Sequence, residues 1–113
     1  MVNGAGASAI SCAKLYVSLG VSPENIVMLD RNGVIRKDRK DLDENKSQFA
    51  TTRNLNTLDD AMKDADVFLG LSKGNVLSQD HIRSMANNPI VFALANPDPE
   101  IKYELAIAAR EDI

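Results

Sequence analysis

Gly4-Ala5-Gly6-Ala7-Ser8-Ala9 reads G-x-G-x-x-A and joins the strand candidate Val2-Asn3 to a run of small helix formers. No other feature constrains the fold as much. A first glycine permits a tight turn, a second lets a pyrophosphate approach the backbone, and a small third residue, here Ala9, lets the helix pack close to a sheet. The unpaired amides at the helix N-terminus, reinforced by its dipole, then face the phosphates. Six residues alone are also satisfied by a plain turn into a buried helix, so the rest of the chain must decide between the two.

The context is an alternation of buried strands and helices. Residues 7–19 carry Ile10, Ala13 and Val17 at helical spacing, with Gly20 placed to end the helix. Ile26–Leu29 is an uninterrupted apolar run ending at Asp30, as suits a parallel strand covered on both faces. Asn32-Gly33 turns the chain into Val34-Ile35, a very short strand candidate. A helix starts near Leu42, and Thr57 caps a second over LDDAMKDA with Asp60 three residues on. Val67–Leu69 closes at Gly70, Ser78 caps a helix to about Ala86, and Ile90–Leu94 is the third buried run. Pro99 then fits the first turn of a last helix, EIKYELAIAAR. This order predicts an α/β, doubly wound, mostly parallel sheet of the Rossmann-like type.

Both ends of that sheet read as truncated. The central strand of such a sheet runs to about five residues, and only Met1-Val2-Asn3 precede the glycines. The apolar run 90–94 has no later strand to cover it. Residues 1–113 are therefore expected to be one partial domain of a larger protein.

Composition narrows the function. With 113 residues, 44% apolar and 26% charged, the chain is long enough for one core. A net charge of −3 supplies no basic field for nucleic acid. No apolar run reaches membrane-spanning length, and no charged-then-apolar leader pattern is read at the start, so no membrane-spanning or targeting segment is expected. Cys12, the single cysteine, lies in a helical pattern and reads as a small buried thiol; a reducing, cytoplasmic setting fits.

Asp30 ends the second strand 26 residues after Gly4, where an acid can accept hydrogen bonds from an adenosine ribose. The following stretch holds Arg31, Arg36, Lys37, Arg39 and Lys40 against Asp38. It is either a solvated loop or, through Arg31 or a neighbour, a seat for the 2′-phosphate of NADP. Gly70-Leu71-Ser72 and Ala95-Asn96-Pro97 fall at strand C-termini, the edge where open α/β sheets bind ligands. Asn96 can orient a carboxamide or a hydroxy acid, although Asn-Pro is also an ordinary turn pair. His81 has no ligand-forming neighbours at helical spacing, and Tyr16, Tyr103 and Lys14 sit in helical patterns, so none is assigned chemistry. The residues alone describe a dinucleotide-binding domain with no evident catalytic acid, base or metal ligand.

"VNGAGASAIS", "IVMLDRNGVIRKDRKDL", "DADVFLGLS" and "NPIVFALANPDPEI", taken in order, resemble the cofactor domain of malic enzymes, especially the bacterial branch. The resemblance covers essentially the whole chain. It implies a Rossmann variant with a short antiparallel strand near 34–35. It also implies oxidative decarboxylation of L-malate to pyruvate and CO₂, with NADP or NAD accepting the hydride, NADP being favoured. Position by position it assigns Gly4, Ala5, Gly6, Ala7, Ser8 and Ala9 to the pyrophosphate loop, and Asp30 and Arg31 to the adenosine side. Gly70, Leu71 and Ser72 fall to a cofactor-side loop, and Asn96 to the nicotinamide and substrate. The family's catalytic tyrosine and lysine and its acidic ligands for Mg²⁺ or Mn²⁺ correspond to segments upstream of residue 1. A GR-x-x-x-x-NQ-x-N segment corresponds to residues beyond 113. The chain alone is thus expected to hold no catalytic or metal-binding residue and to be inactive, while the full-length enzyme forms a homo-oligomer. Two rival readings remain: another Rossmann dehydrogenase of an amino or hydroxy acid, and a non-catalytic nucleotide-binding module.

Overall fold

A computed structural model describes residues 1–113. In chain order the elements are β1 (Val2–Asn3), α1 (Ala7–Ser18), β2 (Met28–Asp30), β3 (Gly33–Val34), α2 (Glu44–Ser47), α3 (Leu58–Met62), β4 (Val67–Gly70), α4 (Gln79–Ser84), β5 (Ile90–Ala93) and α5 (Tyr103–Ala109). The strands form one five-stranded sheet in the order β3-β2-β1-β4-β5, parallel except for the antiparallel β2–β3 pair. Chain order reverses direction at β1, which puts the glycine-rich turn at the switch point of the sheet.

Period-two alternation sends side chains of the short strands into two layers. On one face Val2, Met28 and Leu69 lie in register and pack with Ala9, Ile10 and Ala13 of α1, joined by Ile35 and Phe49. On the other, Phe68 packs with Met62, Leu77, Ile82, Met85, Ile101 and Ala106, and Val27, Leu29 and Val34 pack with Ala61. Ile35, expected in the short strand but lying just past β3, and Phe49 both join the core, and Arg36 and Thr51 form a bridge across this stretch.

Local chemistry sets the element ends. Thr57 caps α3 and Ser78 caps α4, each in a reciprocal capping box, with Asp60 and His81 as the respective partners. His81 also meets Asp59 through Nε2, so the lone histidine ties α4 to α3. The helix at Leu58 stops at Met62, short of the LDDAMKDA expectation, because Lys63 leaves helical geometry and Asp64 takes φ +61°. Helix α5 begins at Tyr103, and Pro99 is not in its first turn. Residues 99–100 instead bond to the loop after β4, through Asn75 N–H to the Pro99 carbonyl and Leu77 N–H to the Glu100 carbonyl. Two burial expectations also change. Cys12 is half-buried, and β5 is covered on one face only, with Ile90 50% and Phe92 44% exposed. No helix is long and apolar enough to cross a membrane.

Candidate cofactor site

The C-terminal edge of the sheet gathers the candidate residues. The Gly4 N–H donates to the Leu29 carbonyl and the Leu71 N–H to the Asn3 carbonyl, which binds the glycine turn to the ends of both neighbouring strands. Gly4 has φ +132°, a conformation that L side chains rarely adopt. A Cβ there would also come within 3.3 Å of the Ser72 Cβ. Loop 70–72 therefore sits directly over the turn.

Gly6 differs. It is the N-cap of α1 in extended geometry (φ −78°, ψ −172°), makes no side-chain cap bond, and a Cβ would meet nothing within 4 Å. The amides of Ala7, Ser8 and Ala9 precede the first intrahelical donor, Ile10, whose N–H reaches the Gly6 carbonyl at 3.0 Å. No acid lies in the first turn. Open space above a glycine at an uncapped N-terminus of a twelve-residue helix suits a pyrophosphate. Ala9 is 1% exposed and packed into the core, as the third small residue of the turn requires.

Asp30 lies at the end of β2, with its acceptor positions already engaged. Its Oδ1 accepts from the Asn32 N–H (2.9 Å) and from Arg39 (3.0 Å); its Oδ2 accepts from Arg39 (2.9 Å) and Lys46 (3.3 Å). Burial works to raise its pKa, but the bonds from Arg39, Asn32 and Lys46 outweigh burial and hold the carboxyl below its ordinary value. Arg39 spans Asp30 and Asp41 and donates a further bond to the Val34 carbonyl. Its guanidinium holds Asp41 at about 2. Arg31, one residue past Asp30, is exposed and makes no hydrogen bond or ion pair. The sequence placed Arg39 in a basic cluster but gave no sign of Lys46, which the turn into α2 brings back to β2.

On the other side of β1, the Leu94 N–H donates to the Gly70 carbonyl (3.1 Å), joining the loop that carries Asn96 to loop 70–72. Below them lies Glu100, fully buried, a residue that sequence reasoning passed over. An acid wedged between Pro99 and Ile101 was the available signal. A cavity of about 570 Å³ lies at the opposite edge of the sheet beside Met1, Ile26 and Val67, away from this site. No three His, Cys, Asp or Glu side chains cluster to hold a metal ion.

This geometry belongs to a known family. Residues 1–109 match the model of the malic enzyme NAD binding domain. The chain is a member of the malic enzyme family. It is 53% identical over 110 residues to an NADP-dependent malic enzyme of Halomonas elongata, covering 97% of this chain and 26% of that protein. It is 45% identical over 113 residues to an NAD-dependent malic enzyme of Rhizobium meliloti, covering 99% of this chain and 15% of that protein. The crystal structure of an NAD-dependent malic enzyme from Thermotoga maritima superposes with a TM-score of 0.88 at 37% identity, over 99% of this chain and 31% of that one. The chain thus spans about a quarter or less of the length of the curated relatives it matches.

Proposed function

We propose that this malic enzyme domain binds NADP in preference to NAD, within an enzyme that oxidatively decarboxylates L-malate to pyruvate and CO₂. The engagement of Asp30 carries the cofactor preference. An acid that selects NAD must offer its carboxylate to the ribose hydroxyls; here Arg39, Lys46 and the Asn32 amide take up both oxygens. Lys46 is held on Asp30 itself, and Arg31, the next residue along the chain, is exposed and unpaired, so its charge is free to meet a 2′-phosphate. Matches to relatives of both cofactor types leave the preference to this local chemistry.

Gly4 through Ala9 would hold the pyrophosphate on the α1 N-terminus, and Asp30 with Arg31 would border the adenosine ribose. Gly70, Leu71, Ser72 and Asn96 would line the nicotinamide half, with Asn96 also facing malate. The dinucleotide supplies hydride acceptance when bound. This chain's residues bind it, orient it, and place the Asn96 amide as donor and acceptor. No metal-binding role is proposed for this chain's own residues, because the resemblance assigns the family's acidic metal ligands to segments upstream of residue 1. Malate as substrate, a homo-oligomeric whole enzyme and a cytoplasmic setting complete the proposal.

Parallel calorimetric titrations with NADP⁺ and NAD⁺ at fixed salt test it. Tighter binding of NADP⁺ is expected. Equal or reversed affinities would overturn the preference, and binding of neither by the folded chain would overturn the site.

A further inference from the structure

Two loops leave the sheet edge side by side: one after β4, carrying Gly70–Ser72, and one after β5, carrying Asn96. They are zipped together by Leu94 N–H to the Gly70 carbonyl, Asn75 N–H to the Pro99 carbonyl and Leu77 N–H to the Glu100 carbonyl. At Gly74 an added Cβ would overlap the Asp98 carbonyl. The Glu100 side chain lies within this seam. It is 0% exposed, and its carboxylate occupies the space that a side chain on Gly70 would need. Oε1 accepts from the Ala95 N–H at 3.1 Å, while Oε2 has no hydrogen-bond partner.

Packing alone does not call for an acid here. Burying a carboxyl with one oxygen unpartnered opposes folding, and an apolar side chain of similar volume would fill the space without that penalty. What an apolar side chain cannot do is accept from the Ala95 amide, one residue before Asn96. We propose that Glu100 is a positioning residue for the nicotinamide half of the cofactor site. Its Oε1 fixes the backbone that presents Asn96, and its bulk against Gly70 sets that backbone's distance from the loop over the glycine turn. It touches no cofactor itself. The inference rests on the dinucleotide reading above, because pyrophosphate on α1 and adenosine toward β2 leave the nicotinamide half to β4 and β5.

The test compares the full chain with its Glu100→Met and Glu100→Gln variants, titrated with NADP⁺ and with ADP, which carries the adenosine and pyrophosphate but no nicotinamide. Met keeps the volume and loses the acceptor; Gln keeps both. The expected pattern is a melting temperature for Glu100→Met at or above that of the wild type, with NADP⁺ affinity about tenfold weaker and ADP affinity unchanged. Glu100→Gln should stay close to wild type for both ligands. NADP⁺ binding by Glu100→Met equal to the wild type, or an equal loss for both ligands, would overturn the proposal. So would a Met variant that fails to fold, which would mark Glu100 as structural, or a folded Gln variant that loses NADP⁺ affinity. A wild-type chain that binds neither ligand would instead overturn the underlying cofactor reading.

Discussion

Gly4, Gly6 and Gly70 line one edge of the sheet for three different reasons, and the difference decides what each substitution does. Gly6 has backbone angles that valine adopts readily, and empty space where a side chain would go. Gly6→Val should therefore leave the melting temperature nearly unchanged while reducing dinucleotide affinity at least tenfold, because the new methyls fill the place of the pyrophosphate. Calorimetric titration beside a thermal melt checks both halves; wild-type affinity in the mutant would refute the phosphate-loop assignment. Gly70 is the reverse case. A Cβ there overlaps the Glu100 carboxylate, so Gly70→Ala should destabilise the fold by about 1–3 kcal/mol, as overpacking does. Denaturant unfolding would read that loss as a lower midpoint at constant slope. The motif gives Gly6 a role, but a glycine closing a strand carries no record in sequence of the atoms that surround it. The pattern does assign physical reasons to Gly4, Gly6 and Ala9, through the turn, the approach of a pyrophosphate and the helix–sheet distance; what it leaves out is the buried carboxylate packed against Gly70.

At the scale of elements, helices too short to stand alone are held by caps and by charges that reach across the chain. Helix α3 has five residues and depends on the Thr57–Asp60 capping box. Thr57→Ala should cost about 1 kcal/mol, measurable as a fall in the thermal midpoint. Helix α2 has four residues and is tied back to β2 by Lys46 on Asp30. Because Asp30's carboxyl is held below its ordinary value in the fold, the unfolded chain takes up its proton first as pH falls. The stabilisation is complete above the ordinary carboxylate range of about pH 4 and is lost as pH falls through the lower, folded value. Thermal melts across that acid range should show a steeper loss for the wild type than for Asp30→Asn, and parallel curves would contradict the linkage. The Thr57–Asp60 capping box, the Ser78 cap and the order of helices and strands were readable because caps and apolar runs are local signals; the part His81 plays in capping α4 was not read. The Asp30–Arg39–Lys46 cluster was only half readable. Its acid and arginine lay in recognisable positions, whereas Lys46 arrives through the path of residues 35–47, which local pattern does not encode.

The whole molecule is asymmetric across its sheet. Helices α3, α4 and α5 cover one face, while α1 and residues 35–50 cover the other only as far as β4. Alternation in β5 turns Val91 and Ala93 toward α4 and α5 and leaves Ile90, Phe92 and Leu94 on the uncovered side, the last 57% exposed. The apolar run 90–94 correctly announced a parallel strand, but composition alone cannot say whether a second layer is present to cover it. That face adjoins the free edge of β5, which pairs with β4 alone, and an apolar face beside unpaired backbone groups promotes association. The 113-residue chain should therefore self-associate as its concentration rises, seen as a growing weight-average mass in sedimentation. Phe92→Lys should suppress this. Phe92 is already 44% exposed, so the charge reaches water with little loss of packing and the melting temperature should barely move. Nor should NADP⁺ affinity change, because the glycine turn and loop 70–72 keep their contacts. A wild-type chain that stays monomeric throughout would show that this face is too small to drive association. A Lys variant that still associates would move the contact to the exposed Leu15 and Leu19 of the α1 region, 57% and 74% exposed.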